Sequence, residues 1–131
     1  MTIEGSVGIV TGGARGIGFA LADRLLREGA RAIAIVDVDG IQVNEAHTRL
    51  AAEHGTDRVM AFVADVSSEL YLREVYGVTI DMFGPVDLFV ANAGIGSGQG
   101  IEADDETWDR VWRVNVMAHV VAARIAVPDM L

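Results

Sequence analysis

Short apolar runs alternate along this chain with longer stretches of helical periodicity. Val7–Thr11 is a β-branched run broken at Gly12. Ile17, Leu21 and Leu25, with Ala22 and Leu26 beside them, then recur at helical spacing until Gly29, a residue suited to a helix C-terminus. Ala32–Val36 is a second apolar run closed by Asp37, and Ile41–His54 places Val43, Ala46 and Leu50 on one helix face before Gly55. Val59–Ala64, closed by Asp65, predicts a third strand. Ser67–Phe83 predicts a helix with an internal Gly77, ended by Gly84-Pro85. Val86–Ala91 predicts a fourth strand, followed by a glycine-rich loop from Gly94 to Gly100. The acidic residues Glu102, Asp104, Asp105 and Glu106 suit the positive end of a last helix, running to about Val127 and closed by Pro128.

Strands that are continuous apolar runs, each followed by a helix, predict a parallel sheet covered on both faces. Right-handed crossovers favour a doubly wound α/β fold of Rossmann type, with the first strand central and strand order 3-2-1-4. No linker or internal repeat divides residues 1–131, which read as one domain. Sheets of this kind normally carry a further strand beyond the fourth, which here would be an open edge. The domain is therefore expected to be incomplete, ending after the helix that follows the fourth strand.

Composition removes several function classes. With 51% hydrophobic and 22% charged residues, the chain is too apolar for a disordered segment. The net charge is −9, and the ten basic residues are all Arg and scattered, which argues against a nucleic-acid partner. Cysteine is absent, so disulfides and thiolate metal sites are excluded. His47, His54 and His119 have no ligand-like spacing, and no metal is expected. Neither a signal-peptide pattern nor a membrane-length apolar run occurs, so a soluble cytoplasmic protein without a membrane partner is expected.

The candidate chemistry begins at Thr11-Gly12-Gly13-Ala14-Arg15-Gly16-Ile17-Gly18, between the first strand and first helix. A dinucleotide pyrophosphate would lie there, on the free N–H groups of the helix N-terminus. Gly12 would allow the sharp turn out of the strand, Gly16 a close approach of backbone to phosphate, and Gly18 tight packing of the helix. Asp37, 19 residues beyond Gly18 at the end of the second strand, would accept hydrogen bonds from the adenosine ribose hydroxyls. The same carboxylate would repel the 2′-phosphate of NADP, whereas Arg15 would attract it. The carboxylate stands at the ribose itself, so NAD is the expected cofactor, ahead of NADP. As a purely structural alternative, Asp37 and Asp39 flank Val38 in a strand-end turn.

Gly12-x3-Gly16-x-Gly18, preceded by Thr11, resembles the loop of the classical short-chain dehydrogenases/reductases. Asp65-Val66 resembles that family's pair at the adenine ring. Asn92-Ala93-Gly94 resembles its Asn-Ala-Gly, although Ala91 stands where many members have a further Asn. Trp108-Asp109-Arg110-Val111 and Val114-Asn115-Val116 resemble its next helix, with Asn115 at the Asn of the catalytic tetrad. The resemblance runs from about Gly5 to Leu131 and implies the N-terminal half of an NAD(H)-dependent alcohol/ketone oxidoreductase, with a likeness to the family's subunit-contact helix that implies a homo-oligomer. Read without the family, Asn115 serves equally well as a structural hydrogen-bonding residue within an apolar stretch.

The family's Ser, Tyr and Lys are missing. There is no Lys in the chain, and Tyr71 and Tyr76 are followed four residues later by Val75 and Ile80. Ser97 falls well before the family's Ser position. The implied roles therefore compete with two others: a dinucleotide-binding module without catalysis, and a self-associating piece using the final helix and the open strand. A Rossmann methyltransferase also pairs a glycine loop with an acid after the second strand, but the loop spacing and Asn92-Ala93-Gly94 count against it.

Overall fold

The two most apolar runs form the centre of the sheet. In the computed structural model, which describes Met1–Leu131, β1 (Val7–Thr11) and β2 (Ala32–Asp37) pair in parallel from Val7 opposite Ala32 to Thr11 opposite Val36. β3 (Val59–Val63) pairs with β2, and β4 (Leu88–Val90) with β1, again in parallel. The order β3-β2-β1-β4 is the one expected from the alternation of strands and helices. Helices α1 (Gly16–Arg27) and α2 (Gly40–His54) cover one face, where Ala22, Leu25, Leu26, Val43, Ala46 and Leu50 pack on Val10, Ile33 and Ile35. On the other face α3 (Glu69–Phe83) and α5 (Ala118–Met130) pack on Val7, Ile9, Ala34 and Val36. Every residue of β1 and β2 except Asp37 is buried, which is why both read as unbroken apolar runs.

Helix ends follow local chemistry. Gly29, at φ +92, closes α1 with its N–H on the Leu26 carbonyl (3.2 Å) and that of Ala30 on Leu25 (3.0 Å), a Schellman closure. The core stripe of α1 is Gly18, Ala22, Leu25 and Leu26; Ile17, expected on that face, is instead 79% exposed in the first turn. The third helix starts at Glu69 rather than Ser67, because Ser68 caps it through Tyr71 N–H (3.4 Å) while Ser67 is drawn into a turn by Asp65.

β4 is shorter than the expected Val86–Ala91. Asp87 turns its carboxylate to the Val7 N–H (2.9 Å) while its own N–H still reaches the Val7 carbonyl (2.9 Å), and the Asn92 N–H bonds to Thr11 Oγ1 (3.0 Å), so side chains take over part of the ladder at both ends. The last helix is unbroken from Asp105 to Met130 but not uniformly α-helical. α4 (Asp105–Trp112) runs into a π-helical turn at Arg113–Met117, which carries Asn115, before α5 begins. Pro128 does not close α5. It lies in the last turn, where lacking an N–H it forfeits the bond to the Arg124 carbonyl, and α5 nonetheless continues to Met130. No helix is long and apolar enough to cross a membrane.

Candidate functional site

Parallel pairing brings the carboxyl ends of all four strands to one edge of the sheet, and the connections diverge on either side of β1. A cleft of about 500 Å³ opens there, lined by Gly12, Arg15, Asp37, Val38, the 64–67 and 92–95 segments, and one face of α4. Gly12, Arg15, Asp37, Asp65, Val66, Asn92, Ala93 and Gly94, all singled out from sequence, therefore meet in one place. Gly16, Ile17 and Gly18 lie beside it in the first turn of α1.

The glycine loop has two distinct constraints. Gly12 (φ +64) and Gly16 (φ +56) adopt left-handed backbone, and a Cβ on Gly16 would meet nothing within 4 Å. Gly18 is the opposite case: its Cβ would lie 2.0 Å from the Gly12 carbonyl oxygen and 2.7 Å from Asn92 Nδ2. Its smallness thus lets the first turn of α1 pack closely on the residues that follow β1 and β4. The N-termini of α2, α3 and α4 are capped by Asp39, Ser68 and Asp104, but no side chain caps α1 and no acid stands in its first turn. The Asp104 carboxyl, hydrogen-bonded to the Thr107 side chain and N–H, is held below the usual carboxylate range.

The polar residues of the cleft are anchored by backbone. Asp37 accepts from the N–H of Val38 (2.8 Å) and of Ala14 (3.3 Å), tying the end of β2 to the glycine loop. Asp65 accepts from the Ser67 N–H (2.9 Å) and hydroxyl (2.7 Å), with Val66 buried beneath. Asn92 donates its amide to the carbonyls of Thr11 (3.1 Å) and Gly12 (3.4 Å). Asn115 is not among the lining residues. It donates to the Ile95 carbonyl and accepts from the Ile95 N–H, both at 2.8 Å, the backbone-bonding geometry available without any family.

Sequence reasoning missed two features. Thr11 is a junction as well as a strand end: its buried hydroxyl accepts from the N–H groups of Asn92 (3.0 Å) and Ala93 (3.1 Å) and donates to the Val90 carbonyl (3.4 Å). The second is the α4 wall, formed by α4 and the start of the π-helical turn, where Glu106, Asp109, Arg110, Arg113 and Val114 line the cleft at helical spacing. That spacing was the available signal. Neither tyrosine reaches the cleft. The Tyr76 hydroxyl donates to Asp129 (3.2 Å), and burial together with that carboxylate pushes its pKa up. Folding also gathers Asp23, Glu53 and His54, which sequence spacing did not suggest as a group. Arg27 pairs with both carboxylates and His54 Nε2 lies 2.8 Å from Asp23, so hydrogen bonds and ion pairing within the group account for it; these contacts hold the Asp23 carboxyl low.

This fold and loop recur in known proteins. The short chain dehydrogenase family matches over residues 6–131. The chain is 37% identical to 1-deoxy-11-beta-hydroxypentalenate dehydrogenase of Streptomyces avermitilis, over all of this chain and 48% of that protein. It is 35% identical to cis-1,2-dihydrobenzene-1,2-diol dehydrogenase of Pseudomonas putida, over 99% of this chain and 47% of that protein. Among solved structures, L-sorbose reductase of Gluconobacter frateurii, complexed with NADPH and L-sorbose, superposes with a TM-score of 0.90 at 38% identity, over 99% of this chain and 49% of that one. The chain thus spans about half the length of the relatives it matches. From Ser6 to its last residue, this chain belongs to the short-chain dehydrogenase family.

Proposed function

We propose that this chain forms the cofactor-binding part of a nicotinamide-dinucleotide-dependent oxidoreductase acting on an alcohol or ketone, and that it prefers NAD(H). The observation that carries the reading is the uncapped N-terminus of α1 beside the open, left-handed Gly16, with Asp37 bonded to the same loop. Bare N–H groups at a helix start, with room for a close approach, suit a pyrophosphate. In this reading Gly12, Gly16, Ile17 and Gly18 hold the phosphates, and Asp37 takes the adenosine ribose hydroxyls. Asp65 and Val66 receive the adenine, while Asn92, Ala93 and Gly94 border the nicotinamide end. Bound there, the nicotinamide would supply or accept hydride. Asn115 steadies the 93–95 segment through both polar groups of Ile95.

NADPH in the L-sorbose reductase complex, and Arg15 in the cleft, favour NADP. The carboxylate of Asp37 weighs more, because it would face a 2′-phosphate directly. Asp37→Ala is expected to weaken NADH binding about tenfold, the loss of charge-assisted hydrogen bonds worth ~1.4 kcal/mol, while NADPH binding holds or improves. Fluorescence titration with both nucleotides checks this. An unchanged preference would reduce Asp37 to a loop anchor.

A 131-residue polypeptide of this sequence is expected to bind cofactor without turnover on any alcohol or ketone, since no Lys is present and Tyr76 is committed to Asp129. Steady-state assays with a substrate panel test it; turnover abolished by Asn115→Ala would overturn this account of the missing acid/base. The reading also includes a homo-oligomer. Of the final-helix residues Val114, Val116, Val120, Val121 and Ile125 that suggested self-association, Val114 and Ile125 are buried in the core, while Val116 and Val120, with Trp108, Trp112 and Val127, remain exposed, and the outer edge of β4 is unpaired. Sedimentation equilibrium is expected to show concentration-dependent association, and a single monomeric species throughout would sink that part.

A further inference from the structure

Arg110, like Arg15 across the cleft, is a cation that no carboxylate of the protein pairs with, and of the two it stands on the wall that also carries Val114. Arg113, one turn further on, pairs with Asp109 at 2.8 Å, which satisfies both. Arg110 makes no ion pair and no side-chain hydrogen bond, and Glu106, one turn earlier, does not reach it. A guanidinium lining a cleft without a partner can meet a ligand without first breaking a contact.

Its position limits which part of a ligand it could meet. Val114, four residues later on the same wall, is buried and belongs to one apolar cluster with Ala64 and Val66. Arg110 therefore lines the same cleft as Asp65 and as the apolar patch that Val114 shares with the segment after β3. A flat heteroaromatic ring fits between such a patch and a planar cation, since guanidinium stacks on π faces in a way ammonium does not.

We infer that Arg110 is an adenine-binding residue, its guanidinium stacking on the outer face of the ring while Val66 and Val114 support the inner face. This rests on the dinucleotide reading above and adds to it a contact that no glycine or acid motif specifies. The probes are NADH and AMP, titrated into the full chain by calorimetry. Arg110→Ala is expected to weaken both about tenfold, and by the same factor, because both carry the adenine. Arg110→Lys keeps the charge but not the plane, and is expected to recover less than half of that loss on a logarithmic scale. Arg124→Ala, the same charge change on α5 outside the cleft, should bind both probes like the parent protein.

Three results would overturn the inference. Parent-like binding by Arg110→Ala, with Asp37→Ala still weakened, removes Arg110 and leaves the dinucleotide reading standing. Full recovery by Arg110→Lys makes the contact one of charge, with a phosphate rather than with the ring. Failure of the parent chain to bind NADH or AMP removes the dinucleotide reading and this contact together. Arg110 is exposed, so melting temperatures equal to the parent's are expected for both Arg110 variants and keep these outcomes readable.

Discussion

Gly18→Ala is expected to destabilise the protein by about 3 kcal/mol, the upper end of what overpacking usually costs, and to abolish NADH binding. The added methyl would lie 2.0 Å from the Gly12 carbonyl oxygen and 2.7 Å from its carbon, and these are backbone atoms that no rotamer change can move. Relief requires separating the first turn of α1 from the glycine loop, which disturbs Asn92 as well, 2.7 Å from the same point. Against a total stability of roughly 5–15 kcal/mol, that loss shifts a urea midpoint clearly. Gly16→Ala separates packing from ligand approach. Its Cβ meets nothing, so the variant should lose only the cost of left-handed backbone, about 1–2 kcal/mol, yet bind NADH much more weakly. A Gly18→Ala protein with the parental midpoint would mean that the loop yields freely and that the close contact constrains nothing.

The contrast between these two glycines also marks how far the sequence was readable. Gly12, Asp37, Asp65 and Asn92 each follow an apolar run directly or within two residues, and in a parallel sheet every such position arrives at the same edge. Strand order followed from the alternation of strands and helices, because right-handed crossovers place the first strand centrally and give 3-2-1-4. The edge strand was less legible, since its ends are set by Asp87 and Thr11 side chains that take over part of the ladder. The π-helical turn was hidden, because Trp108, Trp112, Val116 and Val120 keep a four-residue spacing straight through it. The α4 wall was hidden differently: Glu106, Asp109, Arg110 and Arg113 read as a solvated helix face until the fold turns that face onto the cleft. His54 and Asp23, 31 residues apart, meet only because α1 and α2 share one side of the sheet.

Thr11 shows what such a hidden contact is worth. Thr11→Val keeps the volume and β-branching of a residue 3% exposed, so no cavity forms and the strand is not weakened. What disappears is the acceptor for two N–H groups. That of Asn92 retains a bond to the Val90 carbonyl (3.0 Å), but that of Ala93 has no other partner. One part-buried donor left unsatisfied costs about 1–3 kcal/mol, so a loss of about 2 kcal/mol is expected in chemical denaturation. Thr11→Ser keeps the hydroxyl and removes one methyl, costing about 0.8 kcal/mol. Hydrogen exchange locates the effect: the Ala93 amide should exchange much faster in Thr11→Val, while the amides of β2 shift only with global stability. β4 offers just three residues to β1, so freeing 92–93 loosens the wall that carries Asn92, Ala93 and Gly94 toward the cleft. NADH affinity should therefore fall in Thr11→Val and recover in Thr11→Ser. An unchanged exchange rate at Ala93 would mean that the β4 pairing alone holds that wall in place.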